Sequence, residues 1–166
     1  ITFAEDCGLW FGLRWLKADP ILQKQVIGLL EDLADAGLGT ERNSGLGAAA
    51  IQSLGELELP DPHQRWTTLS RYLPRPNETS VMGQAGSSYG LKNVGGWLDS
   101  PAKPAQRRKA VNLLVEGSVF ASLPGAVPGQ VADVRPMYGE SNPDPLGHPV
   151  YRSGLAFAVG MKEGAV

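Results

Sequence analysis

The sequence predicts an α+β fold with an antiparallel sheet and extra β-hairpins, and three observations carry that expectation. A single amphipathic helical segment with its own start and stop signals lies at about residues 19–36. After it, almost all the periodicity is strand-like. The 21 glycines and 13 prolines among 166 residues supply the turns that many short strands need. One helix followed by strands, rather than strands and helices in alternation, argues against a doubly wound parallel sheet.

The elements follow in order along the chain. "LWFGLRWL" (Leu9 to Leu16) is apolar and aromatic with few breaks, and reads as a strand buried on at least one face. Asp19 and Pro20 then form a helix start: an acceptor side chain at the N-cap and a proline where its missing N–H is not needed. Leu22, Val26, Leu29, Leu30 and Leu33 make one apolar stripe at helical spacing. Gly37 sits where a residue of left-handed conformation would end the helix. "AAAIQSLGELELP" reads as a further strand through the alternation at Leu57 and Leu59, and "RWTTLSRYL" (Arg65 to Leu73) as another. Strands or hairpins are expected at "SSYGLKNVGGWLDS", "AVNLLVEGSVFA" and "VYRSGLAFAVGM". "SLPGAVPGQ" and "MYGESNPDPLGHP" read as exposed connections.

Composition excludes several classes of function. The net charge of -2 hides an uneven distribution, with -5 over residues 1–60 and +3 over residues 61–166. A free, nonspecific nucleic-acid binder carries a stronger basic excess, because phosphate neutralisation supplies most of its affinity, so any RNA contact is local. No apolar run reaches the length of a membrane span. Cys7 is the single cysteine, which excludes an internal disulfide and points to a reducing, cytoplasmic compartment. The chain opens at Ile1 with residues that already read as strand, and the expectation is a C-terminal domain, residues 1–166, of a longer protein with an N-terminal domain upstream.

Several motif matches lack the context their chemistry requires. "GLGAAA" (Gly45 to Ala50) fits a dinucleotide fingerprint but follows a helix instead of opening one. "GSSYG" (Gly86 to Gly90) places Ser88 as a nucleophile, with Asp99, Asp133 or Asp144 ahead of His148. A nucleophile elbow needs a strand-to-helix turn, and Leu91 to Ser100 has two glycines and no helical stripe. His63 and His148 each lie next to a proline in a loop and would need scattered carboxylates to hold a metal, so no metal and no cofactor is expected. Asn77 to Thr79 is a glycosylation sequon by pattern alone.

"GLGTERNSGLG" (Gly37 to Gly47) is different in kind. Glycines without Cβ let the main chain approach a polyanion, and successive N–H groups can converge on phosphate oxygens. Arg42 adds charge, while Thr40, Asn43 and Ser44 add donors. The loop follows the C-terminal end of its helix, so the helix dipole offers an anion nothing there. A long helix-to-strand connection is the alternative reading of the same residues.

A helix ending in "LADAGLGTERNSGLGAA" resembles the glycine-rich loop of the RAMP superfamily, the ferredoxin-like RNA-binding proteins of CRISPR systems. "RWTTLSRYLPRP", "GGWLDSP" leading into "RRKAVNLLVEGSVFA", and "HPVYRSGLAFAVGM" narrow the resemblance to the C-terminal half of the Cas5-like subunit of the type III-A (Csm) interference complex, over nearly the whole chain. This resemblance implies a ferredoxin-like (RRM-like, RAMP) domain and a non-catalytic role: holding the 5′ handle of the CRISPR RNA and docking the large palm-domain subunit next to a backbone RAMP subunit. The implied RNA-binding residues are Gly37, Gly39, Thr40, Arg42, Asn43, Ser44, Gly45 and Gly47, with Arg42 the sole basic one. Tyr72, Tyr89, Tyr138 and Tyr151 are further candidates for base stacking, and Arg107, Arg108 and Lys109 form the densest basic run. The alternatives are a RAMP ribonuclease that processes CRISPR RNA with His63 or His148 as general base, and a protein scaffold without RNA contact.

Overall fold

A computed structural model describes residues 7–38, 47–100, 103–138 and 146–161. The chain falls into two compact units, Ile1–Leu57 and Glu58–Val166, each taken by itself below.

In the first unit the helix forms where its signals stand. Helix α1 spans Pro20–Ala36, and Asp19 caps it by accepting from the backbone N–H groups of Ile21 at 3.1 Å and Leu22 at 3.0 Å. The apolar stripe is only partly covered: Val26 and Leu30 are half-buried, while Leu22, Leu29 and Leu33 are exposed. The helix stops at Gly37, whose φ of 89° fits the expectation but whose ψ of 144° carries the chain away extended. The expected strands at 9–16 and within 48–60 do not form. Those residues are described without ladder pairing, and Leu9 and Trp10 are 83% and 74% exposed. Aromatic and branched residues favour a pleated surface, but a strand also needs a neighbouring main chain to complete its hydrogen bonds, and here no described segment provides one.

The second unit holds the antiparallel sheets. The order of its strands is β1 (Trp66–Thr68), β2 (Leu91–Val94), β3 (Trp97–Ser100), β4 (Lys103–Arg107), β5 (Val111–Leu114), β6 (Val119–Phe120), β7 (Val131–Asp133), β8 (Tyr151–Ser153) and β9 (Ala158–Gly160). β1 lies at the centre of a three-stranded sheet between β6 and β9, with Trp66 opposite Phe120 on one side and Gly160 on the other. β7 pairs with β8. The α+β class with antiparallel pairing and hairpins is therefore the observed architecture. A 3-10 helix at Pro76–Gly83, which the sequence pattern did not indicate, links β1 to β2.

The core of this unit follows from the alternation in "RWTT". Trp66 and Thr68 point inward and are buried, with Thr67 between them half-buried. Trp66 meets Phe120 at 4.7 Å and Tyr72 at 5.7 Å between ring centroids, and Tyr72 meets Phe120 edge-on at 5.5 Å. The indole N–H of Trp66 donates to Ser122 O at 2.7 Å, so its polar atom is satisfied inside the core. Tyr72, expected as a possible stacking ring, is instead fully buried in this cluster.

Beneath the cluster lies a buried carboxylate. Glu78 Oε2 accepts from the Tyr72 hydroxyl at 3.1 Å, from the Arg75 N–H at 2.8 Å and from the Gly129 N–H at 3.0 Å. Its Oε1 accepts from Arg75 Nη1 at 2.7 Å. Burial first, then the negative charge of Glu78 and the hydrogen bond to it, push the Tyr72 phenol pKa far above its ordinary value. In the unfolded chain the phenol ionises near pH 10, while the folded chain keeps it protonated. The contribution is thus complete below about pH 10 and is lost as pH rises further, at roughly 1.4 kcal/mol per pH unit. Alkaline unfolding curves of the parent chain are expected to show this slope and those of Tyr72→Phe to lack it; equal slopes would mean that the phenol is not held protonated.

Candidate nucleic-acid interface

The glycine-rich segment is pinned at both ends. At the end of α1 the Ala34 carbonyl accepts two N–H groups, from Gly37 at 3.2 Å and from Ala49 at 3.2 Å. One step further out, the Leu38 N–H donates to Gly47 O at 2.8 Å. These bonds bring the two ends of the segment together in a closed neck. Gly47 has φ of 90°, and a Cβ there would strike the Leu38 carbonyl oxygen, so this close approach of the two chain ends depends on glycine.

Of the sequence-predicted site, the structure therefore brings Gly37 and Gly47 to one place, at the neck. Gly39, Thr40, Arg42, Asn43, Ser44 and Gly45 lie outside the described residues. The amides of Gly37 and Leu38 already have partners within the chain, which limits the part of the neck to shaping the loop. No basic residue stands in the last turn of α1, and the helix presents its carbonyl end to the segment, so the helix itself does not draw an anion.

The other sequence candidates are dispersed. Ser88 is exposed and exchanges main-chain hydrogen bonds with Val119, at 2.9 and 2.8 Å, in an isolated bridge and not in a strand-to-helix turn. His63 is exposed, and His148 Nδ1 lies 3.1 Å from the carbonyl of its own neighbour Pro149. Among the described residues no three His, Cys, Asp or Glu side chains gather as a metal site would require. Tyr89, Tyr138 and Tyr151 are exposed, as stacking requires.

Two nested pairings make a long ribbon in the second unit. β2 pairs with β5, from Leu91 opposite Leu114 to Val94 opposite Val111, and β3 pairs with β4, with Trp97 opposite Arg107 and Leu98 opposite Gln106. Between them the Arg108 N–H donates to Gly96 O at 3.0 Å and carries the ladder across the break at Gly95 and Gly96. The ribbon is rooted in the core through buried Leu113 and Leu114 and through the Tyr72 to Leu114 bridge. Its far part presents Trp97 and Arg107 to solvent on one face, with the Arg107 guanidinium carbon 5.6 Å from the indole centroid. The signal in the sequence was "GGWLDSPAKPAQRRK": a tryptophan and a basic run at opposed ends of one hairpin.

These elements define an α+β protein of antiparallel sheets and hairpins, with a closed neck at Leu38 and Gly47 in one unit and a basic ribbon in the other. The family model of the CRISPR Csm4 C-terminal domain matches residues 61–161, well over half of the chain. The chain belongs to that family: it is a C-terminal part of a Csm4-type, Cas5-like RAMP subunit of the type III-A Csm complex. No curated protein matches the chain. The matched span contains the aromatic core, Glu78 and the ribbon, while α1 and the glycine-rich segment precede it. Among the described residues no helix is long and apolar enough to cross a membrane.

Proposed function

We propose that the chain is a non-catalytic RNA-holding and assembly element of the Csm complex, with the segment between Gly37 and Gly47 gripping the 5′ handle of the CRISPR RNA. In this reading the same subunit docks the large palm-domain subunit beside a backbone RAMP subunit, in the cytoplasm and without a cofactor. The observation that supports it is the neck: Leu38 and Gly47 joined by a hydrogen bond, holding between them eight residues with two glycines, Arg42 and three small donor side chains. A loop gathered at its base loses less conformational freedom on binding than an open one, and glycines leave its amides accessible to a sugar-phosphate backbone.

In an assembled complex, Arg42→Ala is expected to weaken retention of the CRISPR RNA by about 1.5–3 kcal/mol, roughly tenfold to a hundredfold, because a charge-assisted hydrogen bond is lost. Gly45→Leu is expected to act in the same direction, with the melting temperature of the chain unchanged. RNA retention by both variants equal to that of the parent would contradict the reading. Cleavage of repeat RNA that disappears in His63→Ala or His148→Ala would replace it with the ribonuclease reading.

A further inference from the structure

We propose that the outer part of the β3–β4 ribbon is a second contact for single-stranded RNA, with Trp97 as the platform for one base and Arg107 and Lys109 meeting the neighbouring phosphates. This rests on the RNA-binding reading of the chain but not on the glycine-rich loop, and every residue it uses lies in the second unit.

Charge is the first observation. Residues 91–111 hold five Lys/Arg against one Asp, a net of +4. Residues 61–166 as a whole carry only +3, so the ribbon accounts for all the basic excess of that half and the remainder is slightly acidic. Among the described residues no carboxylate pairs with Lys92, Arg107, Arg108 or Lys109. The ion pairs among the described residues are Arg71 with Glu116, Arg75 with Glu78 and Arg135 with Asp133, none of them on the ribbon. Among the described residues Lys109 Nζ reaches the Met137 thioether, at 2.7 Å, and a thioether is a weak acceptor that leaves the charge in place.

The aromatic platform is the second. Trp97 is 66% exposed, and Arg107 is the cation found over its ring. A base stacked on the open indole would extend an existing stack, and every base has a π-face, so such a contact tolerates any sequence. A duplex keeps its bases stacked on one another and offers no free face, which leaves single strands as the occupant.

The third observation is that the platform is braced. Arg108 is half-buried, with its guanidinium lying against Gly96: a Cβ on Gly96 would come within 2.6 Å of Arg108 Nη2. Alternation along β4 and beyond sets Gln106 and Arg108 inward and Arg107 and Lys109 outward, in keeping with their exposure. Arg108 adds positive potential beneath the ribbon, with its guanidinium against the break between the two pairings.

The test uses the full chain with a fluorescein-labelled single-stranded oligouridine and reads binding by anisotropy. Trp97→Ala is expected to weaken binding roughly 5- to 150-fold, the range for loss of one base–aromatic stack, while Trp97→Phe retains most of the affinity. Arg107→Gln is expected to reduce the slope of log affinity against log salt by about 0.7, one phosphate contact on a single strand. An unchanged melting temperature for Trp97→Ala, whose side chain is exposed, excludes unfolding as the cause. Parent-like binding by Trp97→Ala alongside loss in Arg42→Ala would overturn the ribbon and leave the loop reading standing. Loss in Trp97→Ala with full binding by Arg42→Ala would support the ribbon and count against the loop. Intact RNA binding by Trp97→Ala together with failure to assemble with the other Csm subunits would make the ribbon a protein-docking face and overturn the proposal, as would absence of oligouridine binding by the parent.

Discussion

Replacing Glu78 by alanine is expected to destabilise the chain by about 3–5 kcal/mol, because the buried Tyr72 hydroxyl and Gly129 N–H lose their acceptor, at about 1–3 kcal/mol each. Glu78 is 2% exposed, and its carboxylate is the shared acceptor for the Tyr72 hydroxyl, two main-chain N–H groups and the Arg75 guanidinium. Its removal leaves the Tyr72 hydroxyl and the Gly129 N–H without a partner in a space that water does not reach, and each unsatisfied group adds to the loss. Arg75 is partly exposed and can turn to solvent; Tyr72 and Gly129 cannot follow. For a chain of this size the loss corresponds to a melting temperature lower by roughly 6–20 °C. Thermal denaturation checks it, and a decrease of under about 1 kcal/mol would show that the carboxylate is not what ties Tyr72 and Arg75 to Gly129.

Trp66→Ala is expected to cost a similar amount, about 3–5 kcal/mol, through lost burial and the cavity left behind. The residue is fully buried, contacts both other rings of the cluster and gives its N–H to Ser122 O. Trp66→Phe keeps a ring in the site and loses less. Because Tyr72 touches Trp66 and is bonded to Glu78, the two alanine substitutions share a partner, and the double variant is expected to lose less than the sum of the two. Strict additivity in chemical denaturation would contradict a single connected core. The ribbon joins this core at Leu114, so a loosened cluster is also expected to loosen the ribbon's base.

The helix was legible because its signals are local. Asp19 and Pro20 start it, Gly37 ends it, and both act through bonds within a few residues. The strands of the second unit were legible where apolar alternation met a turn, as at Trp66 to Thr68 and at Val111 to Leu114. The stretch from Leu9 to Leu16 misled for a physical reason: aromatic content states a preference for a pleated surface and says nothing about which main chain will pair with it. Glu78 was hidden inside an apparent sequon. Its partners Tyr72 and Arg75 are near in sequence, but Gly129 lies far along the chain and only the fold brings it there. Of the candidate site, composition disclosed the glycine-rich loop, and the structure adds the neck that gathers it. Composition also disclosed the basic run Arg107 to Lys109, but only strand pairing sets Arg107 opposite Trp97.

The central claim is that the segment closed off by Leu38 and Gly47 grips the CRISPR RNA. Its most direct test is photo-crosslinking in an assembled Csm complex whose CRISPR RNA carries thiouridine within the 5′ handle, followed by mass spectrometry of the crosslinked peptides. Adducts on the peptide containing residues 37–47 are the expected result. Efficient crosslinking of the handle to other parts of the complex, with that peptide unmodified, would contradict the claim.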